Sequence, residues 1–282
     1  MDYFSVDGID TRNYGIFNGL EEARKLFGSI LEVPAAQVEV DGNASLALMH
    51  DTVLFGLIYG MPDHDPWIIN KPITFLCPVP GYDRHFSICE SFGIKIVNVP
   101  LTEVCSDMDA VEKLVAPDDS VKGMWCVPKH SNPSGAIYSH EVIRRLATMK
   151  TAASDFRLFW DDAYCMHHLS DTRITIANIL DECAKGGNPN RPILFSSTSK
   201  ITFAGSGLGA FSSSPANVLW WQRHAEVRSI GPDKVNQLRH VRFLKNRANV
   251  EMLMEPHRQL LLPKFDAVLS QFNAYLTAVV SG

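Results

Sequence analysis

No apolar run in this 282-residue chain approaches the length of a membrane span, and its first residues, MDYFSVDGID, hold neither a basic stretch nor an apolar core of the kind that opens an export signal. Positive charge is not in surplus. Lys and Arg number 26 against 31 Asp and Glu, and a net charge of −5 leaves no basic stripe to contact the phosphates of a nucleic acid. The six cysteines, Cys77, Cys89, Cys105, Cys126, Cys165 and Cys183, contain no C-x-x-C pair. Scattered so, they read as reduced thiols, mostly of the core, in a cytoplasmic protein. No metal centre is expected either: the adjacent His167 and His168 suit neither the i, i+4 spacing of helical ligands nor a closed ligand set, and read as two partly exposed histidines after a strand. There is no internal repeat and no low-complexity linker. The absence of G-x-S-x-G sets aside a nucleophile-elbow hydrolase, and no G-x-x-x-x-G-K marks a P-loop. The run GSGLG from Gly205 is spaced G-x-G-x-G, which is not the dinucleotide fingerprint.

What is present is an ordinary globular composition, 46% hydrophobic and 20% charged, with short apolar runs alternating with amphipathic stretches, the signature of an α/β fold. LEEARKLFGSIL predicts a helix with Leu20, Ala23, Leu26, Phe27 and Ile30 on one face. VEVDGNASLALMHDTVLFGLIYG reads as strand, polar Gly turn and helix; ITFLCPVPGY is a buried strand closed by a Pro-Gly turn, with a helix near His85 to Phe92 after it. KIVNVPL, VKGMWC, FRLFWDD and PILFSSTSK are further strands, and SHEVIRRLATMKTAA is a Ser-capped helix with Val142, Leu146 and Met149 on its face. The last third is mostly helical and ends in a long amphipathic helix, where exposed apolar surface is expected from Lys264 to Val280.

Polar residues collect where these strands stop, which is where open α/β sheets bind ligands. Gly42, Asn43, Ala44 and Ser45 form a small-residue turn opening a helix, whose free N–H groups suit a phosphate as readily as a simple cap. HSNPSG places Asn132 in a rigid turn. In WDDAY, Asp161 and Asp162 must point to opposite sides of a strand, so only one can face a site, which speaks against a glycosidase-like carboxylate pair. Lys200 stands in a run of hydroxyl residues, FSSTSK, with no charged neighbour nearby; it either ends a strand by chance or serves as a nucleophile.

Taken in order, DGNAS, PGY, NPSG, DDAY and SSTSK resemble the active-site series of fold-type I pyridoxal-phosphate enzymes, class I aminotransferases in particular. TRNYG, STSKITFAGSG and IGPDKVNQLRHVRF are similar to the atypical bacterial aspartate aminotransferase subgroup, and the likeness runs over nearly the whole chain. The resemblance implies a mixed, mostly parallel seven-stranded sheet with helices on both faces, and pyridoxal 5′-phosphate as cofactor. It implies that Lys200 forms the Schiff base and carries the proton, that Asp161 pairs with the ring nitrogen, and that Asn132 and Tyr164 hold the phenolic oxygen. Tyr82 would stack on the ring, while Asn43, Ala44, Ser45, Ser197 and Ser199 would hold the phosphate. Tyr14 matches a tyrosine that reaches the phosphate from a neighbouring subunit, which implies a homodimer with a shared site.

Two departures qualify the resemblance. Leu208 stands where most relatives carry the phosphate-binding arginine, leaving Arg239 and Lys234 as substitute cations. The expected division is an N-terminal segment and first helix over 1–35, a cofactor-binding large domain over 36–245, and a linker helix over 246–282 toward a small domain that is largely missing. Weak or no transamination is expected from this chain alone. The implied reaction moves an amino group between an amino acid, aspartate by preference, and 2-oxoglutarate. A lyase or decarboxylase on the same cofactor, and a non-catalytic binding or dimerisation module, remain open beside it.

Overall fold

The computed structural model describes residues 2–69, 72–102, 106–170 and 173–280, with the side chains of the last helix as far as Tyr275; Cys105 lies outside the described residues. The elements follow in the order α1 (Glu21–Leu31), β1 (Val38–Val40), α2 (Ser45–Tyr59), β2 (Thr74–Val79), α3 (Asp83–Ser91), β3 (Lys95–Pro100), α4 (Met108–Val115) and β4 (Val121–Cys126). Then come α5 (His140–Thr148), β5 (Arg157–Asp161), α6 (Ile179–Lys185), β6 (Pro192–Ser197), β7 (Gly209–Ser213), α7 (Pro215–Arg228), α8 (Lys234–Leu244) and α9 (Arg247–Val280). The strands form one seven-stranded sheet in the order β1-β7-β6-β5-β4-β2-β3. Pairing is parallel from β3 through β6, and β7 runs antiparallel to both β6 and β1. The mixed, mostly parallel sheet is therefore the one expected.

Period-2 alternation divides the core between the two faces of this sheet. Leu158, Trp160 and Leu194 face α4, α5 and α6, packing on Val111, Ile143, Leu146 and Cys183. Phe159, Ile193 and Phe195 face α2, α3 and α7, packing on Met49, Val53, Ile88 and Trp221. Each such fully buried side chain contributes roughly 1.5–3 kcal/mol over an exposed one. The expected face of α1 is buried, but it serves two clusters. Leu20, Ala23 and Phe27 meet Val38, Val40 and Leu238, while Leu26 and Ile30 meet Val250 and Met254 of α9.

Side-chain caps start several helices. Ser139 accepts from the Val142 N–H at α5, and Asp107, Asn178, Ser214 and Asp233 do the same for α4, α6, α7 and α8. α2 differs: it opens after Ala44 with no side-chain cap. α5 stops at Thr148, short of the Ala153 that ends the quoted stretch, because Met149 turns to an extended ψ of 146°. On α9, Phe265, Val268, Leu269, Phe272 and Tyr275 are exposed, the apolar surface expected there.

Candidate functional site

Because β2, β4, β5 and β6 run parallel, their carboxyl ends share one edge, and the turn after β1 arrives beside them. A cavity of about 210 Å³ lies at that edge. Ala44 and Ser45 enter it from the start of α2, Tyr82 from the turn after β2, and Asn132 from the loop after β4. Asp161 and Tyr164 come from β5 and its end, and Ser197, Ser199 and Lys200 from β6 and its end. Leu46, Met49, Val127 and Ala163 supply apolar wall.

Asp161 sits on the Phe159 face of the sheet and is 6% exposed. Its Oδ2 bonds His85 Nε2 at 2.9 Å, and the His85 ring stacks on Trp125 with centroids 4.5 Å apart. Its Oδ1 is buried and has no partner. Asp162 turns to the other face as strand alternation demands, near Lys129 and Cys165, and burial pushes its carboxyl up to about 7. Lys200 places Nζ 5.9 Å from the centre of the Tyr164 ring. Burial raises the Tyr164 phenol above its usual range, with Asp161 and Tyr82 adding to it.

Asn43 and Tyr14 lie outside this wall, and of the two only Asn43 was expected in this chain's own site. Asn43 is not in the cavity wall; its Nδ2 donates to the Gly205 carbonyl at 3.2 Å and ties the α2 turn to the loop after Lys200. Tyr14 is 84% exposed and also outside the wall. Nor do the substitute cations line it. Lys234 is buried with Nζ on the Gly15 carbonyl at 2.9 Å, and Arg239 lies on the Ser206 carbonyl at 3.3 Å. Leu208 is 2% exposed and packs with Val38, Val40 and Ala210. The glycines after Lys200 act on backbone. A Cβ on Gly209 would lie 2.8 Å from the Asp41 carbonyl oxygen, and one on Gly207 would lie 3.3 Å from the Asn43 carbonyl oxygen. They let the Lys200 loop and the α2 turn close on each other.

Sequence reasoning passed over His85. Its signal was position alone: three residues after Tyr82 at the start of a helix, it shares a side with that ring, and their centroids are 5.2 Å apart.

A family model described as aspartate amino-transferase matches residues 1–281. The chain belongs to the aspartate amino-transferase family. Among curated family relatives, a Mycolicibacterium smegmatis protein bearing an aminotransferase name is 52% identical over 267 residues, 94% of this chain and 62% of its own length. An aspartate aminotransferase of Corynebacterium glutamicum is 44% identical over 98% of this chain and 64% of its own. The chain thus spans a little under two thirds of the length of these curated relatives. The crystal structure of a C. glutamicum aspartate transaminase superposes with a TM-score of 0.94 at 44% identity, covering 98% of this chain and 65% of that one. The α-aminoadipate aminotransferase LysN of Thermus thermophilus, complexed with N-(5′-phosphopyridoxyl)-L-leucine, has a TM-score of 0.71 over 88% of this chain and 60% of its own. At 18% identity, that likeness is one of fold.

Proposed function

We propose that this chain builds the cofactor site of a pyridoxal 5′-phosphate-dependent aminotransferase that moves an amino group from an amino acid, aspartate by preference, to 2-oxoglutarate. The observation that carries the reading is Asp161 Oδ1, a buried carboxylate oxygen with no partner in a cavity whose wall also holds Lys200. A buried acceptor left unpaired costs about 1–3 kcal/mol or more, and a protonated ring nitrogen would satisfy it. The rest of the wall fits the same group. The uncapped N-terminus of α2 and the hydroxyls of Ser197 and Ser199 suit a phosphate, and Asn132 and Tyr164 offer donors to a phenolate oxygen. The fold is also that of the Thermus enzyme complexed with a phosphopyridoxyl compound.

When bound, the cofactor supplies the electron sink for a carbanion at the substrate's α-carbon. This chain's residues do the rest. His85 holds Asp161 by its Oδ2 and leaves Oδ1 open, and that carboxylate oxygen would hold the proton of a ring nitrogen. Lys200 would hold the cofactor through its amine, and the same Nζ would carry a proton as general base and acid. Tyr82 would cover the ring, and Tyr164 would orient the phenolic oxygen. Residues 36–245 form the cofactor-binding unit in this reading, with 1–35 and 246–282 flanking it. Tyr14, being so exposed, is free to reach the phosphate of a second copy, with Asn43 bracing the turn that receives it. No helix among the described residues is long and apolar enough to cross a membrane, and the reading places the enzyme in the cytoplasm.

The test is the visible absorption spectrum of the purified chain with pyridoxal phosphate, beside Lys200→Ala. A band that depends on Lys200 supports the reading, and identical spectra with free-aldehyde absorption alone refute it. Product analysis then separates the reactions. A keto acid with pyridoxamine phosphate marks transamination, ammonia with pyruvate marks a lyase, and binding without turnover marks a binding module.

A further inference from the structure

Three loops bring Asn132, Tyr164 and Lys200 to one cavity. The connection lies just behind it. Lys129 and His130, on the loop that carries Asn132, each reach a carbonyl of the loop that carries Tyr164. Lys129 Nζ donates to the Cys165 carbonyl at 3.0 Å, and His130 Nε2 to the His167 carbonyl at 3.3 Å. His130 adopts a φ of 51°, a left-handed conformation unusual for a residue with a Cβ and one that costs free energy. His167 makes the next link. Its Nε2 lies 3.2 Å from the carbonyl oxygen of Lys200, its backbone N–H donates to the Tyr164 carbonyl at 3.0 Å, and its ring meets the Tyr164 ring edge-on at 5.4 Å.

We propose that His167 is a positioning residue that fixes Lys200 relative to Tyr164 and Asn132, the last link of a set of side-chain to carbonyl bonds in which Lys129 reaches Cys165, His130 reaches His167 and His167 reaches Lys200.

The bonding fixes the chemistry of the ring. A carbonyl can only accept, so Nε2 carries the proton and Nδ1 does not. Nδ1 is buried without a partner, which makes a second proton costly. Burial holds His167 down at about 4, and it also lowers His130, so both rings are neutral donors at ordinary pH. The turn they hold is also bonded to Leu208 ahead of β7 and to α8, and its Ile201 side chain is buried beside Leu26, Met166 and Met254. Thr198 N–H donates to the Leu208 carbonyl, Ile201 N–H returns to the Thr198 carbonyl, and Thr202 Oγ1 pairs with His240 Nε2 at 3.1 Å. Among the described residues, the His167 bond is the hydrogen bond that joins residues 198–202 to the Tyr164 loop, where Ile201 also packs with Met166. His167 and His168 are thus unlike: His168 lines a separate cavity together with Lys129, Asp162 and Arg173.

The proposal rests on the cofactor reading for its consequence but not for its geometry, so two measurements are paired. The first is amide hydrogen exchange, by mass spectrometry, of the cofactor-free chain. His167→Phe should raise exchange in peptides covering 198–202 while those covering β2 and β3 stay unchanged, and His167→Gln, which keeps an N–H donor at the Nε2 position, should restore protection. Unchanged exchange at 198–202 overturns the proposal, as does a loss spread evenly over the whole chain. The second is titration with pyridoxal phosphate. His167→Phe should weaken binding about tenfold and shift the Lys200-dependent band, with His167→Gln close to wild type. Identical bands and affinities in all three proteins overturn the positioning role. If wild type itself forms no Lys200-dependent band, the cofactor reading fails, and the exchange result alone decides whether His167 holds the turn.

Discussion

Glu39→Gln should make this protein more stable, and more so the higher the pH. Glu39 lies in β1 opposite Phe211 and is 1% exposed. One carboxyl oxygen accepts from Gln222 Nε2 at 2.7 Å, while the other is buried without a partner. Burial is the main cause that pushes the carboxyl up to about 8; the Gln222 bond and Arg24 oppose it, and Asp41 and Glu226 add to it. The folded state therefore keeps a proton that the unfolded chain, with an ordinary carboxyl near 4.5, gives up. Stability falls as pH rises between those two values. From about pH 5 to about pH 8.5 the linkage amounts to about 4 kcal/mol, less whatever local relaxation recovers by admitting water. Gln has the same shape, keeps the acceptor for Gln222 and has no proton to lose. Urea unfolding of both proteins at the two pH values reads the effect directly, since every other group titrates alike in the pair. The midpoints should lie close together at the lower pH and separate at the higher, with the variant ahead. Midpoints that move in parallel would refute the reasoning and mean that Glu39 is ionised in the fold.

His85→Ala should strip the buried Asp161 carboxylate of its hydrogen bond and Trp125 of its stacked ring, costing roughly 3 kcal/mol in denaturant unfolding and weakening pyridoxal phosphate binding; an unchanged midpoint would deny the pair any structural weight. Gly123→Ala places a Cβ 2.5 Å from a Phe75 ring carbon between central strands, so it should destabilise by about 1–3 kcal/mol, and wild-type thermal stability would show that the ring has room to move.

Much of the architecture was legible because it rests on short-range regularities. Alternation in FRLFWDD placed Asp161 and Asp162 on opposite faces, and that is how they stand, one beside His85 and the other beside Lys129. The Ser139 cap and the buried face of α5 followed from local patterns of the same kind. The polar clusters at the strand ends could be recognised as one set because parallel strands must bring their carboxyl ends to a common edge.

What the chain's order of residues determined by itself was the alternation of strands and helices and the collection of Ala44, Asn132, Asp161, Tyr164, Ser197 and Lys200 at one edge of the sheet. Both depend on periodicity and chain direction, which are written locally. Only the tertiary structure decided which partners those residues take. Asn43 bonds Gly205 instead of lining the cavity, Lys234 was taken by the Gly15 carbonyl, His85 found Asp161, and His167 found the Lys200 carbonyl. These bonds join residues far apart in the chain, and a hydrogen bond across 33 or 76 positions leaves no period in the sequence to be read.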